Sequence, residues 1–238
     1  MRTTFKWATA RRTTVHREHS SDHYAEGADR RRRRHERRHA ETRDDILVAA
    51  REVLLERGAA DLSLREIARR AGYSPGALYK YFEDKGDLIR VLADAAMSAL
   101  VGAFETVPEG LPPDERAVEI GMAYLDFARS HPEDVELIAV NEAAIHAQPS
   151  SPEHQRVEDV VIGVMRDGAR SGVFRLPLED ADCAAFGAWA YVRGLASFER
   201  QQGSELAQRL REKQRQLLSV YVNGLKTGWP AAADLPAD

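Results

Sequence analysis

Residues 63–88 read SLREIARRAGYSPGALYKYFEDKGDL, and the fold turns on the middle of that stretch. Ser74, Pro75 and Gly76 put little bulk at the start of a short segment, while Tyr79, Lys80, Tyr81, Phe82 and Lys85 put aromatic and basic surface directly after it. Ser74 suits a helix N-cap, and Pro75 suits the first helical position, where an absent N–H has no partner to lose. Upstream, Ser63 stands three residues before Glu66. That is the capping-box spacing, in which each side chain satisfies a free backbone N–H of the other. It predicts a helix through Ile67, Ala68 and Ala71 that stops at Gly72, whose missing Cβ permits a left-handed turn. Two helices separated only by Gly72 and Tyr73 must cross steeply, which makes a helix-turn-helix whose second member enters a major groove by its N-terminal end.

The chemistry of the second helix follows from its faces. Leu78 and Phe82, spaced i and i+4, are expected to face inward against Ile67 and Ala71. Ser74, Gly76 and Ala77 keep the entering tip slim, leaving Tyr79, Lys80 and Tyr81 for the nucleic acid. A phenol joins an apolar ring, which suits a thymine methyl or a sugar, to a hydroxyl for phosphate, and Lys80 adds a direct phosphate contact. Lys85, at the start of the next helix, is expected to hold a phosphate together with free N–H groups. Thr42 and Arg43 would clamp the backbone from the start of helix one.

Outward from this core the period stays helical. Ile46, Leu47, Ala50, Val53 and Leu54 share one face of helix one, which Gly58 ends, and Leu88, Leu92, Ala95, Ala96, Ala99, Leu100 and Phe104 mark a long fourth helix closed by the Pro108–Pro113 segment. Further helices are expected at about 114–130, 132–147, 152–172, 178–200 and 204–225, with no competing strand pattern. The fold class is therefore all-α: a three-helix DNA-binding head over residues 42–88 and a helical regulatory and dimerisation domain over 89–228. A basic arm over 1–41 precedes them and a flexible tail over 229–238 follows.

Charge agrees with that division. The net charge of -4 conceals a gradient: residues 1–41 carry twelve Lys and Arg against six Asp and Glu, whereas residues 91–238 carry thirteen against twenty-three. An anionic partner is expected at the N-terminal end only. The arm, with Arg30 to Arg34 followed by Arg37 and Arg38, has too few apolar side chains to offset its ordering entropy and is expected to be disordered. It reads either as a solvated tail or misassigned start, or as an arm tracking phosphates. The longest apolar run, Cys183 to Val192, falls short of the roughly 20 residues of a membrane span, and no secretory h-region opens the chain. The one cysteine, Cys183, cannot form an internal disulfide; its apolar surroundings predict a buried thiol, and a cytoplasmic location fits.

Residues Thr42 to Leu88 resemble the DNA-binding domain of TetR-family transcriptional regulators, in which an AxxAGVSxGxxYxHFxxKxxL pattern is typical. The resemblance implies a homodimer with two such heads on a palindromic operator, an all-helical regulatory domain, and release from double-stranded DNA by a small-molecule effector. Carried over by position, Thr42, Ser63, Ser74, Gly76, Ala77, Tyr79, Lys80, Tyr81 and Lys85 are the implied DNA contacts. Lys80 and Tyr81 occupy the positions before Phe82 where some relatives have a histidine. Trp189, Arg193 and Gly194 resemble a W-x-x-x-H-G signature of one C-terminal subclass, with Arg193 in place of the histidine.

The stretch Ala184–Glu199 is apolar nearly all round in its first half, which predicts a helix covered on two sides, one of them by a second subunit. Ala184, Gly187 and Ala188 form a small-residue ridge for that approach, and Leu206, Leu210, Leu217, Leu218, Tyr221 and Val222 give the last helix the stripe to complete a four-helix interface. Trp189 and Arg193, with Tyr124, Phe127 and Asn141, are candidates to line a ligand cavity, Arg193 attracting an acidic or polar molecule. No nucleophile elbow, phosphate-cradling glycine loop or HExxH is present, so an enzyme is not expected. Two rival readings remain. One is a metal sensor using Glu142, His146, His131 and His154; the other is an architectural protein that binds DNA without a palindromic site.

Overall fold

The computed structural model describes residues 18–58, 61–145, 151–200 and 205–229. They form α1 (Glu18–Arg57), α2 (Leu64–Ala71), α3 (Pro75–Leu78), α4 (Lys85–Glu105), α5 (Pro113–Ser130), α6 (Pro132–Ile145), α7 (Pro152–Ser171), α8 (Ala181–Glu199), α9 (Glu205–Glu212) and α10 (Gln214–Thr227), with a 3₁₀ turn at Leu178–Asp180. No strand occurs among the described residues, and no helix there is long and apolar enough to cross a membrane.

The head is built on the stripe expected from the periodicity. Ile46, Ala50, Val53 and Leu54 of α1 meet Ile67 and Ala68 of α2, Leu78 of α3, Phe82, and Leu88 and Leu92 of α4, all buried. Gly72 takes φ +77°, and its N–H closes α2 on the Arg69 carbonyl at 3.3 Å. Two buried contributors lie outside the expected head: Leu92, further along α4, and Leu137 of α6, which is fully buried in the same cluster. The second core is shared by the C-terminal half of α4 with α5, α6, α7, α8 and α10.

Several expectations are corrected. Residues 18–41 are not a disordered arm; they continue α1 without a break, and a disordered-to-helical boundary at residue 41 is absent. Arginine, glutamate and alanine are good helix formers, and pairs such as Arg33–Asp29 at 2.9 Å and Arg37–Glu41 at 2.8 Å add i,i+4 support. The expected last helix is two, α9 and α10, divided at Lys213. The break turns Gln214 inward, where its amide donates to the buried carboxylate of Glu199, which also accepts from Arg129 at 3.3 Å. Residues 1–17 of the arm, and the tail beyond Trp229, lie outside the described residues.

Cys183 is exposed, not buried. The neighbouring carboxylate of Asp182 holds its thiol above the ordinary value, with desolvation and Asp180 adding to the effect. The small-residue ridge on α8 also faces inward: Tyr221 donates to the Ala184 carbonyl at 2.8 Å, and a Cβ on Gly187 would stand 2.6 Å from the Tyr221 hydroxyl. What α8 leaves open is the stripe one step round the helix, Cys183, Phe186 and Ala190, with Phe186 73% exposed. On α10, Leu218 and Val222 are buried in the chain's own core, and Val220 is the outward apolar residue at 67% exposure.

Candidate nucleic-acid interface

The tip of the head is assembled from a short helix and the turn that follows. α3 spans only Pro75–Leu78, with Ser74 as an extended N-cap (φ -74°, ψ 149°) and Pro75 in the first turn. Beyond it the backbone tightens: Lys80 N–H donates to Ala77 at 3.1 Å and Tyr81 N–H to Leu78 at 2.9 Å, the i→i+3 pattern of a 3₁₀ continuation. Tyr79, Lys80 and Tyr81 thus sit on a turn, not on the helix the spacing predicted. Leu78 is fully buried and Phe82 nearly so, which anchors both ends of the turn in the head core. Between those anchors Tyr79 is 60% exposed and Lys80 is exposed.

The remaining candidates divide. Ser63, Ser74 and Gly76 are exposed, and Ala77 is half-buried. A Cβ on Gly76 would meet nothing within 4 Å, so the slim tip reflects open space, not a packing demand. Neither Ser63 nor Ser74 makes the expected side-chain cap bond. Glu66 is drawn instead to Arg69 at 2.8 Å and Arg57 at 3.2 Å, so the capping box does not close. Those contacts, the Arg69 hydrogen bond first, pull the Glu66 carboxyl down to about 2.

Tyr81 is half-buried, with its ring 4.4 Å from that of His39 on α1. Lys85 opens α4, but the N–H groups expected to cradle a phosphate beside it are partly taken. Asp84 accepts from Asp87 N–H at 2.8 Å, and Asp87 accepts from Glu83 N–H at 3.0 Å. Thr42 and Arg43 lie inside α1, not at a helix start, so no free backbone donors accompany them. Arg43 stacks over the Phe82 ring at 5.6 Å. Tyr73 donates to Asp45 at 3.0 Å and stands 3.4 Å from the Thr42 hydroxyl, tying the inter-helix turn to α1. Neither His39 nor Tyr73 was singled out by the sequence pattern. The unbroken α1 brings His39, just past the basic run, beside the turn.

Two family models match this chain: "Bacterial regulatory proteins, tetR family" over residues 46–92 and "Tetracyclin repressor-like, C-terminal domain" over residues 117–221. The chain belongs to the TetR family of bacterial regulatory proteins. Among curated relatives, the repressor BepR of Brucella suis is 49% identical over 57 residues, 24% of this chain and 27% of BepR. The repressor KstR2 of Rhodococcus jostii is 26% identical over 77% of this chain and 90% of its own. The chain thus spans about a quarter of BepR but most of KstR2. Mycobacterium smegmatis BioQ has the same architecture, with a TM-score of 0.59 at 26% identity over 78% of this chain and 98% of that one. BioQ has also been solved with its double-stranded DNA operator, and that structure matches at a TM-score of 0.56. Proteins of this family are DNA-binding regulators and not enzymes.

In the TetR-family regulator's second domain a cavity lies between α4, α5, α7, α8 and α10, lined by Phe104, Tyr124, Met165, Trp189, Leu218 and Tyr221 among others. Tyr124 and Trp189, two of the candidates from sequence, lie in this lining and meet edge to face at 5.0 Å. Phe127 does not line the cavity and stacks on His131 at 4.7 Å, and Arg193 is half-buried outside it. Asn141 falls in the last turn of α6, where its side chain is outside the described residues. The lining is almost wholly apolar: the hydroxyl of Tyr221 is spent on Ala184, and that of Tyr191 on the Leu217 carbonyl at 3.1 Å. Desolvation pushes the Tyr221 phenol above its ordinary value. The free volume is about 50 Å³, room for little more than one water and far below the roughly 300 Å³ of a ligand pocket. Of the proposed metal ligands, Glu142 and His146 have side chains outside the described residues, and His154 pairs with Glu158 at 3.2 Å. No metal-binding group appears among the described residues.

Proposed function

We propose that this regulator acts in the cytoplasm as a homodimeric repressor, reads a palindromic operator with the tip Ser74–Tyr81 of each head, and lets go when an apolar small molecule enters the cavity between α5, α7, α8 and α10. The observation that carries the reading is the burial pattern from Leu78 to Phe82. Two buried anchors hold the outward Tyr79 and Lys80 between them, a display of polar-tipped surface that serves no core. Tyr79 and Lys80 would read base edges and phosphate, with Ser63, Ser74 and Lys85 positioning the backbone. Two heads would address half-sites about 34 Å apart, one turn of DNA.

The open faces of α8 and α10, with Phe186 and Val220 turned out, support dimerisation through those helices. The cavity's apolar lining favours an apolar effector over the acidic or polar one that Arg193 suggested. Its small free volume means that binding must spread α5 from α8, and such a shift favours a conformer whose heads no longer match the half-site spacing. Footprinting the purified protein on DNA flanking its own gene tests the reading. An inverted repeat protected at two positions one turn apart is the expected result. Protection without sequence preference would assign the protein an architectural role instead.

A further inference from the structure

The N-terminal part of α1 is a second cationic surface that the head does not use. Residues 30–40 are exposed throughout, and their charges sort by face. Arg32, Arg33 and Arg37 are engaged with Asp29, Glu36 and Glu41. Arg31, Arg34 and Arg38 enter no ion pair among the described residues, and their i, i+3, i+7 spacing places them on one side of the helix. The same stripe runs on through Thr42, Ile46, Ala49 and Val53, and the last three are buried where α1 packs on the rest of the head. These three arginines therefore continue the face of α1 that packs on the rest of the head, α2 foremost, beyond the point where the head ends. The ring contact of His39 with Tyr81 fixes that point beside the exposed Tyr79 and Lys80. At 1.5 Å per residue, Arg38, Arg34 and Arg31 stand about 1.5, 7.5 and 12 Å further along the axis than His39.

We infer that this part of α1 is a rigid phosphate-binding rod that holds the DNA backbone outside the half-site contacted by the α3 tip. The inference rests on the DNA-reading role proposed above. Duplex DNA suits the surface because its phosphates form a continuous anionic track next to a head already seated on it, and a straight helix presents its cations at a fixed offset without the ordering cost of a flexible arm.

The test compares the full chain with R31A/R34A/R38A and with the charge-preserving R31K/R34K/R38K. Alanine keeps the helix propensity, so equal circular dichroism at 222 nm confirms that α1 persists. Affinity for a random-sequence duplex of about 40 bp is followed by fluorescence anisotropy across a salt series. The alanine variant is expected to lower the slope of log K against log salt by roughly 2 to 3, at about 0.9 per lost phosphate, and the lysine variant to restore it. Identical slopes for all three proteins would overturn the inference. The footprinted operator, trimmed to its half-sites or extended by about ten base pairs on each side, then locates the contact: the full chain should bind the extended form more tightly and the alanine variant should not. An equal preference in both proteins places the arginines inside the half-site and also overturns it. The random duplex carries no operator, so failure of the operator reading, seen as no preference for operator over random DNA, is distinguishable from failure of the rod.

Discussion

Leu78 and Tyr79 are adjacent in the chain and opposite in consequence. Leu78 is fully buried among α1, α2 and α4, so Leu78→Ala should cost about 2–5 kcal/mol in chemical denaturation, the usual range for emptying a core leucine site. Tyr79→Ala should leave stability within about 0.5 kcal/mol and reduce operator binding far more than random-sequence binding. Equal losses on the two DNAs would show that the ring reads no sequence. Both assignments were legible, because i, i+4 spacing separates an inward from an outward face before any contact is known. The capping at Ser63 was not. Its backbone takes the extended N-cap conformation, but the arginines of α1 and α2 compete for Glu66, and that competition appears only when the helices pack. The folded carboxyl of Glu66 titrates at about 2 against an ordinary 4.5, so its pairing contributes stability above pH 4.5 that is lost as the pH falls towards 2. Glu66→Gln should remove that part of the acid dependence in a pH series of thermal melts, while an unchanged profile would show the arginine contacts to be without energetic weight.

At the scale of elements, helix existence was plain from sequence and helix ends were less so. Gly72 stops α2 with a left-handed φ as expected, because only glycine takes that conformation without strain. The start of α1 was misplaced, because the low apolar content of the arginine run argued for disorder. Helix propensity and charge pairing sustain the helix with almost no burial. Close approaches were invisible too. Gly168 of α7 lies under Phe174 so tightly that an added Cβ would fall 2.0 Å from the ring. The Phe174 N–H also returns to the Gly168 carbonyl at 3.0 Å, so neither partner can retreat easily. Gly168→Ala should therefore destabilise by about 1–3 kcal/mol despite alanine's better helix propensity, and a rise in the melting temperature would contradict this packing.

At the scale of the whole molecule, the head is not closed on itself. α6 supplies Leu137 to its core, and the buried Asp134 accepts from Arg51 of α1. Arg51→Ala leaves that carboxylate without its charged donor and should cost about 1–3 kcal/mol, discounted because Arg51 is part-exposed. It should also weaken the link between cavity and head, so that effector concentrations sufficient to release the full chain from operator DNA release the variant less completely. Unaltered release would mean that coupling passes elsewhere. The amino-acid sequence by itself determined the helix-turn-helix, its inward and outward residues and the all-helical class, because turn chemistry and a 3.6-residue period act over neighbours in the chain. Tertiary structure alone decided that α8's small residues serve the chain's own Tyr221, that the cavity is apolar and nearly full, and that α6 completes the core of the head. Each of those depends on which distant side chains arrive at the same place, and local periodicity does not carry that information.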